Sequence, residues 1–276
     1  MQGIIDFSHW SIYFEGLAVI AILAVATWLL SLRLKDVSIV DSAWSIMFMA
    51  AALSYLLAVN DFGFKNIIIL SLVLVWALRL SIHLTWRNWG EPEDHRYVEI
   101  RKKYSPNFPF KSLFIIFLFQ AVLAWIISLP LLGAITLSFE QTLITSTLFT
   151  LGIIFWIIGM FFETVADYQL ARFKSNPSNH RKVMDKGLWK FSRHPNYFGE
   201  CVIWWGFYLI ALSMGAWWSI ISPLIMTWLL LKFSGVVMLE ETITKRRPEY
   251  EDYVKRTNAF IPGPVKNQAK LREEHA

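Results

Sequence analysis

The stretch TLITSTLFTLGIIFWIIGMFFETVA at residues 142–166 decides the class of fold. Its only charged residue is Glu163, which lies near the end of the stretch. An α-helix needs about 20 mostly apolar residues to cross the hydrocarbon core of a bilayer. The stretch therefore predicts a membrane-spanning helix.

Six further apolar stretches surround this one, at 10–32, 41–59, 65–86, 111–132, 198–214 and 216–239. Of the 276 residues, 55% are hydrophobic and only 17% are charged, and the mean hydropathy is +0.44. An average soluble domain has about 25% charged residues. These features predict an all-α, polytopic membrane protein with seven transmembrane helices. We expect one domain over 1–276, with its core at about 110–262 and a flexible tail at 263–276.

The basic residues are distributed asymmetrically between the two sides of the predicted bundle. Of the 26 Lys and Arg, 24 fall in alternate connections and the C-terminal segment, while Lys65 alone falls on the other side and Arg79 lies within the third span. Positive residues favour the cytoplasmic side, so we predict an outside N-terminus and a cytoplasmic C-terminus. This topology and contact with anionic membrane lipids account for the net charge of +5, and we expect no nucleic-acid partner.

Several kinds of site are excluded by the residues themselves. A single cysteine, Cys201, allows no intrachain disulfide and no cysteine-based metal cluster. No zinc-protease motif, Walker loop, GxGxxG fingerprint or Ser/His/Asp spacing is present. We therefore predict no metal site, and any nucleotide would bind outside a Rossmann or P-loop frame.

The third span carries a polar stripe. Trp76, Arg79, His83 and Arg87 are spaced to share one helical face. Asp41, at the start of the second span, is the acid nearest in predicted depth. A structural ion pair between Asp41 and Arg79 or Arg87 is one interpretation, and a polar pocket in which His83 or Asp41 moves protons is the other.

A second polar group ends the fifth span. Glu163 and Asp167 lie one helical turn apart, and Arg172 and Lys174 follow. Two acids on one face repel each other unless cations or ligand hydroxyls satisfy them. Interfacial salt bridges and a site for sugar hydroxyls both remain open.

The segment GLWKFSRHPNYFGE at 187–200 forms the third group. The proline should make His194–Asn196 an extended turn, with Asn196 capping the sixth helix. Backbone N–H groups at a helix start favour an anion, and Arg193 can add a charge-assisted contact. A ligand that carries phosphate fits this segment, whereas capping alone leaves Arg193, His194 and Glu200 unexplained.

The C-terminal segment adds Glu240, Glu241 and the stretch PEYEDYVKRTNAFIP at 248–262. Tyr250 and Tyr253 lie three residues apart and can share a face. They serve either as an interfacial aromatic anchor or as part of a lid over the cytoplasmic mouth.

These motifs resemble the steroid 5-alpha-reductase family, more narrowly its bacterial branch of membrane proteins that carry the family's C-terminal domain. ETVADYQL at 163–170, the 187–200 segment and the 248–262 stretch carry the resemblance, and VDSAW at 40–44 and RNWGEPEDHRY at 87–97 extend it loosely. It implies a seven-helix reductase of a bacterial inner membrane. Such an enzyme takes a hydride from NADPH on the cytoplasmic side and delivers it to a conjugated carbon–carbon double bond of a lipidic substrate.

The resemblance also implies roles for individual residues. Asp167 matches the family's cofactor-binding acid, Glu163 stands where Asn is frequent, and Lys174 falls at a basic contact. Asn196 and Glu200 match the nicotinamide end, and Trp204 matches an aromatic wall. The full set expected to bind the cofactor is Glu163, Asp167, Arg172, Lys174, Arg193, His194, Asn196, Tyr197, Glu200, Trp204, Tyr250 and Tyr253.

The substrate half departs from the family pattern. Steroid-reducing members hold the substrate carbonyl with a Gln-Glu pair on the second span and a Tyr on the third. This chain has Asp41 in the second span and Trp76 near the position of the Tyr. We expect Asp41, Arg79 and His83 to take over the catalytic role, on a hydrophobic enone that need not be a steroid.

Two other functions stay open. Isoprenylcysteine and phospholipid methyltransferases carry a turn similar to RHPNY, so a membrane methyltransferase that uses S-adenosylmethionine is the alternative enzyme. A lipid-binding protein without catalytic activity is the third. The basic cytoplasmic mouth favours a ligand with several phosphate charges over the cationic S-adenosylmethionine.

Overall fold

The computed structural model describes residues 7–180, 182–233 and 249–265, and these residues form helices and loops with no strand among them. The helices are α1 Phe7–Leu34, α2 Ile39–Val59, α3 Phe64–Asn88, α4 His95–Lys103, α5 Phe108–Ile127, α6 Leu129–Thr136, α7 Leu143–Lys174, α8 Pro195–Ser213, α9 Trp217–Lys232 and α10 Tyr250–Arg256. The all-helical prediction is confirmed for the described residues.

Five described helices are long and apolar enough to cross a membrane: α1 over His9–Leu34, α2, α3, α5 and α7. Helix α8 has 19 residues, but Asn196, Tyr197 and Glu200 make its first turns polar. Helix α9 is shorter, and residues 234–239 of the predicted seventh span lie outside the described residues. These helices are those of an integral membrane protein.

Two helix boundaries differ from the prediction. Helix α7 continues past residue 166 to Lys174 because the sequence up to that point contains no helix-breaking residue, and it ends just before Pro177. The predicted span at 111–132 is divided at Ser128, since the separate helix α6 begins at Leu129 with Pro130 in its first turn. The first change places Glu163, Asp167 and Lys174 on a single helix.

The chain packs into two compact units. The first contains the described residues up to Leu148 together with Ile210–Ser222, and the second contains Phe149–Leu209 and the described residues from Pro223 onward. Whether 1–276 folds as one domain stays a prediction. Residues 266–276 of the expected tail lie outside the described residues, whereas the N–H of Gly263 donates to the carbonyl of Phe191.

Polar contacts inside the first unit join its helices. The ring of Tyr13 in α1 stacks on Trp125 in α5 at 4.2 Å between centroids, and each side chain donates to the other's backbone carbonyl. Tyr55 in α2 bonds to the Ser128 hydroxyl at 2.8 Å. Buried polar side chains need hydrogen-bond partners, and these contacts provide them for Tyr13, Trp125, Tyr55 and Ser128.

Candidate functional site

Helices α7 and α8 approach each other closely at two glycines, and this approach lies within the second unit. A Cβ atom on Gly199 would lie 2.5 Å from the backbone nitrogen of Glu163, and one on Gly159 would lie 2.6 Å from the carbonyl oxygen of Gly199. Both distances are shorter than a Cβ atom tolerates. The glycines therefore bring the backbone of Glu163 against the first turns of α8, where Asn196 and Glu200 lie.

Three carboxylates are buried on this helix pair. Glu163, Asp167 and Glu200 are 3%, 7% and 7% exposed. Asn196 Nδ2 donates to Asp167 Oδ1 at 3.1 Å, and the indole nitrogen of Trp204 donates to Glu200 Oε1 at 3.0 Å. Buried carboxylates need hydrogen-bond donors or cations to offset desolvation. The helix pair thus concentrates acceptors suited to a ligand rich in hydroxyl and amide groups.

Trp204 forms an apolar wall beside these acids. Its side chain is fully buried, and its ring meets Phe207 edge-on at 5.6 Å between centroids. Its expected role as an aromatic wall of the cofactor site stays a prediction.

Arg193 holds the C-terminal segment in place. Its guanidinium donates to the carbonyls of Val254 at 3.0 Å and Thr257 at 2.6 Å, and its backbone N–H donates to Asn258 at 2.9 Å. The side chain is only 9% exposed. Arg193 therefore acts as a clamp on α10, and its expected contact with an anion stays a prediction.

Tyr253 completes this clamp from the other side. Its hydroxyl donates to the carbonyls of Trp189 and Ser192, and the Ser192 hydroxyl donates to Phe260 at 2.7 Å. Burial raises the pKa of Tyr253, and the neighbouring Tyr250 adds to the effect. Tyr253 is thus a neutral donor at physiological pH. The two tyrosines share a face as predicted, with centroids 5.5 Å apart.

The turn before α8 differs from the prediction. Helix α8 begins at Pro195, so Asn196 lies inside its first turn and does not cap it. Proline is favoured at the first helical position because the N–H it lacks would have no partner within the helix. Asn196 is then the second helical residue, and its amide bonds to Asp167. His194 is buried and stacks in parallel on Tyr197, with centroids 5.6 Å apart.

Exposed cations follow the acids on α7. Arg172 and Lys174 lie in its last turn with their side chains exposed. Glu240 and Glu241 of the C-terminal segment lie outside the described residues. The predicted span ended at 166, so the structure adds that these cations lie on the same helix as Glu163 and Asp167.

The first unit holds the second polar cluster, centred on Asp41. Arg96 Nη2 donates to Asp41 Oδ2 at 2.7 Å, and the hydroxyl of Tyr97 donates to Asp41 Oδ1 at 2.5 Å. Gln120 donates to the Tyr97 hydroxyl at 3.3 Å. Sequence analysis missed these partners, which come from α4 and α5. They dock the connection after α3 onto the start of α2.

Electrostatics in this connection favour the charged state of the ion pairs. Burial works to raise the pKa of Asp94, but hydrogen bonds and charge from Arg96 outweigh it and leave that pKa below its ordinary value. Burial works to lower the pKa of Arg96, and Asp94 and Asp41 together raise it above its ordinary value. Burial and the charge of Asp41 hold the pKa of Tyr97 well above its usual range.

Two sequence signals could have located this docked connection. Asp94 precedes the helical stretch HRYVEIRKK and caps it by accepting from the N–H of Arg96 at 2.9 Å. Glu93 pairs with Arg101 at 2.7 Å and also accepts from the N–H of Val37. No sequence signal indicates that Asp41 is the docking partner.

The polar stripe on α3 forms as predicted in its helical geometry. Trp76 is fully buried, its ring lies 5.6 Å from Phe48, and Arg79 and His83 are half-buried further along the helix. Arg87 is exposed and donates to Asn88. The catalytic role assigned to Asp41, Arg79 and His83 stays a prediction.

Comparisons of the sequence with known proteins find a family and two relatives. The family model described as a protein of unknown function, DUF1295, matches residues 27–257. An uncharacterized protein of Schizosaccharomyces pombe is 27% identical over 276 residues, covering 90% of this chain and 78% of the relative. The 3-oxo-5-alpha-steroid 4-dehydrogenase 1 of Mus musculus is 29% identical over 76 residues, covering 28% of this chain and 30% of the mouse protein. No solved structure matches the chain.

Proposed function

The chain belongs to the DUF1295 family, and from that premise we propose that it is a membrane-embedded, NADPH-dependent reductase. The proposed reaction reduces a conjugated carbon–carbon double bond in a hydrophobic substrate, such as a steroid-like or other lipid enone. The partial similarity to a mouse 3-oxo-5-alpha-steroid 4-dehydrogenase supports a reductase of this kind.

The observation that carries the proposal is the Asp167–Asn196 hydrogen bond on the α7–α8 pair, with Glu163 and Glu200 buried beside it. A purely structural helix contact would normally avoid three buried carboxylates, because each one costs desolvation free energy. A ligand with many hydrogen-bond donors would be complementary to these carboxylates.

The residues present fit the chemical groups of NADPH. Asp167 and Glu163 are acceptors for ribose hydroxyls, and the Asn196 amide can pair with the carboxamide. Arg172 and Lys174 are exposed cations that attract phosphates. NADPH, when bound, supplies the hydride.

The protein's own contribution is binding, orientation and exclusion of water. The buried Trp204 gives an apolar wall, and hydride transfer to an enone proceeds best where water is excluded. Negative charge develops on the substrate carbonyl oxygen during transfer, so a nearby donor must stabilise it. We assign that donor role to Arg79 and His83; Asp41, which accepts from Arg96 and Tyr97, is proposed to take part in proton movement instead.

The proposal includes a seven-span topology in a bacterial inner membrane. The five long apolar helices, with α8 and the 216–239 stretch added, give seven crossings. The concentration of basic residues in alternate connections supports an outside N-terminus. The α7–α8 acids then face the cytoplasm, where NADPH is available.

The test is ligand-dependent thermal stabilisation of the full chain in detergent. A ligand that binds only the folded protein raises its apparent stability in proportion to occupancy. We expect NADPH to stabilise the wild-type protein and S-adenosylmethionine not to. Asp167→Asn should weaken NADPH binding about tenfold or more, since it removes a charged acceptor. Asn196→Ala should also weaken it.

Asp252→Asn is the matched control, since Asp252 is exposed on α10 and pairs with Lys255 at 3.2 Å. It makes the same charge change away from the acids of the helix pair and should leave NADPH binding unaltered. Stabilisation by S-adenosylmethionine alone would favour the methyltransferase. Equal NADPH affinity in all three variants would refute the site.

A further inference from the structure

Lys65 is the one basic residue on the predicted outer side, and the structure places it in a charged cavity. The cavity has a volume of about 370 Å³ and lies in the first unit, where α2 ends, α3 begins and α6 ends. Its polar lining comes from Asp61, Lys65, Thr136 and Ser138, and Leu137 and Phe139 contribute apolar surface.

The ammonium of Lys65 is fixed at the C-terminal end of α6. It donates to the carbonyls of Ala134 at 3.0 Å, Ile135 at 3.3 Å and Leu137 at 2.8 Å. Cations are favoured at helix C-termini. These three bonds use all three N–H donors of the ammonium, so Lys65 can attract an anion in the cavity through its charge but not through a further hydrogen bond.

Asp61 supplies the opposite charge in the same cavity. Its Oδ1 accepts from the N–H of Gly63 at 2.9 Å, and its Oδ2 accepts from Asn66 Nδ2 at 3.1 Å. A carboxylate has about four acceptor positions, so Asp61 retains capacity for about two further donors. The side chain is exposed.

Asn66 holds the Asp61 carboxylate in position but does not itself line the cavity. Its side chain is fully buried, and its Oδ1 has no hydrogen-bond partner among the described residues. Buried amide oxygens are nearly always hydrogen-bonded, and an ordered water is one way to satisfy this one.

From this arrangement we infer that the cavity binds the headgroup of a phosphatidylethanolamine, with its phosphate toward Lys65 and Ser138 and its primary ammonium toward Asp61. Phe62 and Phe64, next to Asp61 and Lys65 in sequence, are exposed apolar rings that can contact the acyl chains of a lipid held there. The leaflet follows from the orientation proposed above, whereas the headgroup chemistry does not depend on the reductase proposal.

The chemistry distinguishes this headgroup from others. A choline ammonium has no N–H donor and would leave the spare acceptors of Asp61 unused. An anionic glycerol headgroup would bring a second negative charge beside Asp61 with no cation of its own. A zwitterion that carries N–H donors is complementary to both charges of the cavity.

The experiment measures lipid retained by the full chain. The protein is reconstituted in vesicles of equal phosphatidylethanolamine, phosphatidylcholine and phosphatidylglycerol with identical acyl chains, extracted in mild detergent and analysed by native mass spectrometry. We expect phosphatidylethanolamine to be enriched about fivefold to tenfold, which is less than a buried hydrogen bond to a charged group would give because Asp61 is exposed. Asp61→Asn should abolish the enrichment.

Glu140→Gln is the matched control, because Glu140 lies in the same unit, is exposed and does not line the cavity. It should keep the enrichment. A second measurement uses the wild-type protein alone, with a series of lipids that carry zero to three N-methyl groups. Retention should fall as the N–H donors of the headgroup are removed. Equal retention across that series, or enrichment unchanged in Asp61→Asn, would overturn the inference. NADPH stabilisation of Asp61→Asn should equal wild type, which separates this result from the reductase test.

Discussion

Replacing Arg193 by Met tests whether Arg193 holds α10 in place or binds a phosphate group. The guanidinium donates hydrogen bonds to the carbonyls of Val254 and Thr257, and the residue is only 9% exposed. Removing it leaves both carbonyls without that donor, and a buried unsatisfied group costs about 1 to 3 kcal/mol. The backbone bond from residue 193 to Asn258 remains, so we expect the free energy of unfolding to fall by about 2 to 4 kcal/mol.

Two measurements report this change. Thermal unfolding in detergent gives the loss of stability, and limited proteolysis reports release of α10. Arg193→Lys can keep one of the two bonds and should fall about midway. Arg172→Met is the control, because Arg172 is exposed on α7 and its loss should barely alter unfolding. The clamp would be refuted if Arg193→Met unfolded like wild type and lost only its affinity for NADPH.

Three further outcomes follow from single contacts. Gly199→Val should force α7 and α8 apart at Glu163, costing about 1 to 3 kcal/mol, and an unchanged melting temperature would contradict the close approach. Asp94 has a folded pKa below its unfolded value because of Arg96, so its stabilisation is complete above the unfolded pKa and is lost as pH falls through the folded one. Asp94→Asn should therefore reduce the loss of stability in acid, as measured by denaturation between neutral and acidic pH. Lys65→Met should destabilise the protein by about 1 to 2 kcal/mol, since the C-terminal carbonyls of α6 lose their cation; chemical denaturation checks this, and equal midpoints would count against it.

Helical periodicity made part of the site predictable. Glu163 and Asp167 lie on one face because their spacing matches a helical turn, and the structure buries both of them against α8. The polarity of the α8 start was equally visible, because Asn196 and Glu200 interrupt an otherwise apolar stretch. Local sequence determines such features.

Contacts distant in sequence were not predictable in the same way. Asp41 finds its partners 55 and 56 positions away in α4, and only the tertiary fold brings them together. A guanidinium can donate to a phosphate or to backbone carbonyls. The local sequence therefore could not distinguish an Arg193 that binds an anion from one that holds α10 in place. The prediction that Asn196 caps α8 was wrong for a similar reason. Whether its amide caps the helix or bonds to Asp167 depends on the residue at which the helix begins, which is Pro195.

Transfer of deuterium tests the central claim most directly. The purified protein is incubated with NADPH deuterated at the transferable position and a panel of hydrophobic enones, and the products are analysed by mass spectrometry. A reductase should yield a saturated product that carries the deuterium, and Asp167→Asn should sharply reduce the yield while Asp252→Asn does not. Absence of labelled product from every enone, together with methyl transfer from S-adenosylmethionine, would contradict the proposed function.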